Sequence, residues 1–218
     1  MPFESAKKRA AVIDLEQIEH VLAVVEACLC ETFPQDFFRR CAFAAFGLRA
    51  LLQDAGIDAV LVGGQFAALV VTPEDGRLAL QGFKSGPDLY PHLWVEAADR
   101  LIDLGPYLLA FGSDYPVVPM PFLAWSMSAP LPGGLRYKAQ RRLPAGHPMS
   151  NDSAVNRQCD AFVDRCLELA IARDQRPRLP GWIATDYATL LAAAGRDDPW
   201  ARGAMHFEQM ANRPPLPF

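Results

Sequence analysis

The chain is predicted to be an α+β protein in which a buried central helix packs on an antiparallel sheet and further helices follow. Three observations predict this. Helical periodicity fills the stretch up to Gly56, β-branched and alternating runs occupy Ile57 to about Leu104, and apolar residues return to spacings of three and four beyond Ser153. With 218 residues, 51% of them hydrophobic and 21% charged, the balance is that of an ordinary globular chain. A chain of this size buries about 70% of its unfolded surface, so residues 1–218 are read as one domain.

A formal net charge of −4 supplies no basic footprint for nucleic acid. No uncharged apolar run approaches the roughly 20 residues of a membrane span, and the opening MPFESAKKRAAVIDLEQ lacks the apolar core and cleavage site of a signal peptide. The expected setting is cytoplasmic, with neither nucleic acid nor membrane as a partner.

Asp14 to about Glu31 forms an amphipathic helix, because Ile18, Val21, Leu22, Val25 and Leu29 recur on one face. Pro34 separates it from the next helix, and Asp36 is expected to cap the short turn that leads into Cys41. From Cys41 to Asp54 nearly every position is apolar or small, Arg49 and Gln53 being the main exceptions. Such a helix is covered on most sides. Gly56 supplies its left-handed stop.

The strand-like runs are DAVLVGG, QFAALVVT, RLALQGF, HLWVEA and RLIDLG. PEDGR is a hairpin turn, Gly63-Gly64 marks a bulge or turn between the first two runs, and KSGPDLYP links to the fourth. A turn around Ala97-Ala98 sets His92 opposite Asp103 and Trp94 opposite Leu101, with Leu93, Val95, Ile102 and Leu104 on the other face. Residues 107–133 lose clear periodicity and read as an irregular, proline-rich lid or packed insertion. GLRYKAQRR follows as a strand with a basic end. Ser153 to about Ala172 is a helix, Thr185-Asp186 opens another that stops at Gly195, and ANRPPLPF is a proline-rich tail.

A cysteine in the first turn of a helix feels the positive end of the dipole, and Arg39 and Arg40 lie just upstream, so the position favours a thiolate. The plain alternative is a cysteine packed as a small hydrophobe. A histidine paired with an aspartate on the following hairpin separates the two readings. The histidine takes the thiol proton and later returns it to a leaving group, while the aspartate orients the imidazole and stabilises its charged form.

Cys41 in RRCAFAAFGLRALL, His92 in HLWVEA and Asp103 in LIDLG together resemble the papain-like superfamily, and within it most closely the transglutaminase-like core. The resemblance covers about Phe33 to Pro106, the catalytic-like part of the chain, and implies a Cys-His-Asp triad. It further implies that Gln35, six residues before the cysteine, contributes to an oxyanion hole with the backbone N–H of Cys41. Trp94 is the candidate for an apolar wall beside the histidine, packing there or contacting substrate.

Cys28, Cys30, Cys159 and Cys166 complete an odd count of five cysteines without metal-ligand spacing or a disulfide framework. No cofactor and no metal are expected. The expected function is a thiol-dependent enzyme acting on an amide or thioester carbonyl of a peptide or small acyl substrate, by hydrolysis or transfer. The alternative is a non-catalytic binding or maturation module of the same fold.

Overall fold

The computed structural model describes residues 13–83, 92–172, 176–215 and 217–218. The KSGPDLYP link lies outside the described residues. The first helix, α1 (Leu15–Thr32), starts at Asp14, whose carboxylate accepts from the Gln17 N–H. A short 3-10 turn (Phe37–Arg39) then leads into α2 (Cys41–Asp54), which ends at Gly56 with φ +76°.

The sheet begins with β1 (Ala59–Val71), β2 (Leu78–Phe83), β3 (His92–Ala97) and β4 (Arg100–Asp103). A short helix, α3 (Gly105–Phe111), interrupts it before β5 (Phe122–Ser126) and β6 (Leu135–Leu143). Then come α4 (Ser153–Ile171), β7 (Ile183–Ala184), α5 (Tyr187–Gly195) and α6 (Pro199–Gln209). The strand order is β2-β1-β3-β4-β5-β7, with β6 on β1.

The sheet is mixed rather than purely antiparallel, since β5 and β7 run parallel. Gly63-Gly64 makes no turn either. β1 is continuous through both glycines, and the irregularity lies in its partner, where Gly63 pairs with Arg141 and Gly64 with Ala139, leaving Gln140 as the extra residue of a bulge. The PEDGR hairpin forms as expected, with Gly76 at φ +63° and Val71 paired with Leu78.

Residues 107–133 are more ordered than their composition suggests. They contain most of α3 and all of β5, and Leu108, Val118, Met120 and Phe122 are buried. The C-terminal α6 also escaped the periodicity reading, although Asp198-Pro199 is a cap followed by a first-turn proline and Trp200, Ala201, Ala204 and Phe207 share its buried face.

Two apolar layers cover the sheet. On one side α1, α2 and α4 pack with Leu61, Leu93, Val95 and Ile102; on the other Val62, Phe66, Trp94 and Leu101 meet α5 and α6. α2 touches α1, α4, β1 and β3, as its greasy sequence requires. Among the described residues no helix is long and apolar enough to cross a membrane.

The β3–β4 hairpin turns on Ala98 and Asp99, at φ 48° and 60°, not on Ala97-Ala98. Val95 pairs with Ile102, Glu96 with Leu101 and Ala97 with Arg100. Continued by one pair, this register puts Trp94 across from Asp103 and makes His92 its diagonal neighbour on the same face. Two positive-φ residues form the loop whose twist matches that of the flanking strands. The apolar alternation cannot distinguish registers that differ by two, so the faces come out as expected although the partners do not.

Asp99 is exposed and sits at the second loop position, where glycine is favoured. Asp99→Gly is expected to stabilise the protein by about 0.5–1 kcal/mol, seen as a higher urea midpoint with an unchanged slope.

Candidate active site

The site lies where four elements begin or end. Cys41 is the first residue of α2, His92 the first of β3, Asp103 the last of β4, and Gly105 the first of α3. Arg40 is the N-cap of α2 and makes no side-chain cap. Asp36 does not cap the preceding turn; its carboxylate accepts from Arg40 Nη2 at 2.5 Å, and the guanidinium lies over Phe33 at 4.6 Å. Cys41 is thus at a helix start free of side-chain caps, half-buried and facing a cavity.

His92 and Asp103 are 1% and 3% exposed, and the imidazole Nε2 stands 2.6 Å from Asp103 Oδ2. The same oxygen accepts from the Tyr137 hydroxyl at 2.6 Å, and Oδ1 accepts from the Gly105 N–H at 2.8 Å. A buried carboxylate needs such donors. They reach it because side chains are missing at two points. A Cβ on Gly105 would lie 2.5 Å from Asp103 Oδ2 and 2.6 Å from His92 Nε2. Gly64 lies opposite His92 on the central strand, where a Cβ would clash with the Lys138 carbonyl oxygen and approach Trp94 Cη2 to 2.8 Å.

Burial alone pulls the His92 pKa down, but the charge and hydrogen bond of Asp103, followed by the hydrogen bond and charge of Cys41, outweigh it and push it up to about 10. The carboxylate and the thiol are therefore the two groups that favour the charged imidazole. With Nε2 engaged by Asp103, Nδ1 is the nitrogen that can exchange a proton with Cys41.

Cys41 and His92 line a cavity of about 300 Å³ whose other walls are Phe38 and Arg39 from the 3-10 turn and Gly105, Leu108, Leu109 and Gly112 from α3 and its end. The segment read as irregular therefore supplies one wall. Gln35 sits exposed in the turn before Phe37 and is not among these lining residues. Trp94 is 1% exposed and stacks near His92 with ring centroids 6.1 Å apart; it lines a different cavity together with Trp125, Leu131 and Tyr137. The structure thus brings Cys41, His92 and Asp103 together, puts Trp94 behind the histidine and leaves Gln35 outside.

Tyr137 and Gly105 were not singled out from sequence. Tyr137 gave one faint signal, an aromatic among the charged residues of GLRYKAQRR. Cys28, Cys159 and Cys166 are buried, and burial followed by Glu26 pushes the half-buried Cys30 thiol up to about 12. Among the described residues no group of three or more His, Cys, Asp and Glu is placed to hold a metal ion.

No family model and no curated protein matches the chain. One solved structure, described as "The crystal structure of genomics APC5867", superposes with a TM-score of 0.41 and 18% identity, covering 79% of this chain and 96% of that one.

Gly105→Ala is expected to destabilise the protein by about 1–3 kcal/mol in urea unfolding, because the His92–Asp103 pair leaves the methyl no room. Gly195→Ala, with open space around the added methyl, is the control.

A second expectation concerns pH. The folded His92 pKa lies above its ordinary value of about 6.5, so the ion pair's contribution is complete below about pH 6.5 and is lost as pH rises through about 10. The stability gap between wild type and Asp103→Asn should therefore narrow across that interval. A gap independent of pH between 6.5 and 10 would contradict the charged pair.

Proposed function

We propose that the protein is a cysteine-dependent acyl enzyme that works in the manner of the papain-like, transglutaminase-like proteins its sequence resembles. Cys41 is the nucleophile, His92 the acid and base, and Asp103 the residue that orients and charges the imidazole. The observation that carries this reading is the His92–Asp103 hydrogen bond of 2.6 Å, made by a histidine that lines one cavity with Cys41.

The chemistry follows from the parts. The Cys41 thiolate attacks the carbonyl carbon of an amide or thioester, and the carbonyl oxygen takes up negative charge. The backbone N–H of Cys41, at a helix start without a side-chain cap, is the donor best placed for that charge. His92 then gives its proton to the departing amine or thiol as the tetrahedral intermediate collapses to an acyl-thioester. Water or an amine, deprotonated by His92, attacks the thioester and releases the acyl group, returning the thiol. Phe38, Leu108 and Leu109 suit an apolar acyl group or side chain, and Arg39 at the cavity suits an acidic substituent on it. Gln35, outside the lining residues, takes no part in this scheme.

Iodoacetamide at neutral pH, with the modified cysteine mapped by mass spectrometry, tests the proposal. Cys41 should label at least about tenfold faster than Cys28, Cys30 or Cys159, and His92→Ala should remove that advantage. Labelling of Cys41 at the rate of the buried cysteines would sink the enzyme reading and leave a non-catalytic module.

A further inference from the structure

Asp103 Oδ2 serves two donors, and only one of them belongs to the proposed triad. We propose that Tyr137 is a positioning residue that sets the basicity of His92 through Asp103. This rests on the reading of His92 as the acid and base of Cys41.

The geometry is specific. The Tyr137 hydroxyl on β6 and His92 Nε2 on β3 both stand 2.6 Å from the same carboxylate oxygen, and the Gly105 N–H holds the other oxygen at 2.8 Å. The Tyr137 ring is packed against Phe66 at 4.8 Å and edge-on against Trp94 at 5.2 Å, so its hydroxyl has one aim. Burial first, then the charge of Asp103, keeps the Tyr137 proton in place far above the usual tyrosine range, and the hydroxyl remains a donor throughout.

A donor on a carboxylate oxygen draws charge from it and weakens its hold on a second donor. Tyr137 therefore competes with the imidazolium for Oδ2. Without it, Asp103 would hold the charged form of His92 more tightly, and His92 would surrender a proton to a leaving group less readily. A histidine that must both take and give a proton gains from this restraint. Among the described residues, the charged or titratable groups facing or sharing the cavity with His92 are, besides Asp103 and Tyr137, the Cys41 thiol from α2 and Arg39 from the turn before it; β1 contributes the Phe66 ring, at 4.8 Å, and α3 the Gly105 backbone. None of these bonds to Oδ2.

The test is an NMR titration of the four histidines in a Cys41→Ala background, which removes the thiol's own effect on His92. Tyr137→Phe keeps the ring and removes the hydroxyl, and should raise the His92 pKa by about half a unit or more. In the Asp103→Asn background the same substitution should leave it unmoved, because the path runs through the carboxylate. Should Tyr137→Phe fail to fold, biosynthetic 3-fluorotyrosine makes the hydroxyl a stronger donor at unchanged shape and should lower the His92 pKa. A His92 pKa that stays put or falls in Tyr137→Phe, stays put or rises with fluorotyrosine, or shifts equally without the Asp103 carboxylate would overturn the proposal. Iodoacetamide labelling of the wild type is read separately. Slow labelling of Cys41 sinks the acyl-enzyme reading alone, and an unmoved titration sinks the role of Tyr137 alone.

Discussion

The carboxylate of Asp103 is 3% exposed, and its environment imposes the tightest constraint on this part of the molecule. An ion buried without partners costs several kcal/mol, and removing one member of a buried pair typically costs about 3–5 kcal/mol. Here the partners come from three different elements: the imidazole of β3, the hydroxyl of β6 and the first N–H of α3. Each needs the strands in one register and the backbone in close approach. Glycine at 64 and at 105 is a consequence of that demand, since a methyl at either place would occupy space already filled.

The same constraint connects the two faces of the sheet. Leu93, Val95 and Ile102 pack with α2, while Trp94 and Leu101 pack toward α5 and α6. His92 belongs to the Trp94 face by alternation, yet it shares a cavity with Cys41 of α2. That meeting takes place where both elements start, Cys41 as the first residue of α2 and His92 as the first of β3. A helix aimed into the cavity from the opposite end would present Asp54, not the thiol.

Much of the scaffold was legible because its signals are local. The α2 limits, the start of α1 at Asp14, the Gly56 stop and the PEDGR hairpin each rest on a few neighbouring residues. The elements that escaped were short or depended on distant support. β5 and β7 hold five and two residues and exist as strands through pairing with each other and with β4. Asp36 had the right residue type for a cap, but Arg40 four residues on was the nearer charge. The hairpin slipped by two because alternation repeats every two residues, and only the turn's backbone angles choose between the alternatives.

By itself, then, the sequence determined the residue types of the candidate site, their order, the faces they occupy and the helix that carries Cys41, since periodicity, capping and turn chemistry act over a few residues. Tertiary structure alone decided that His92 meets Asp103 on a diagonal, that Tyr137 shares its oxygen, that α3 walls the cavity and that Gln35 stands outside the lining. These depend on contacts between residues that lie from about ten to about seventy positions apart, and no local pattern encodes where such partners land.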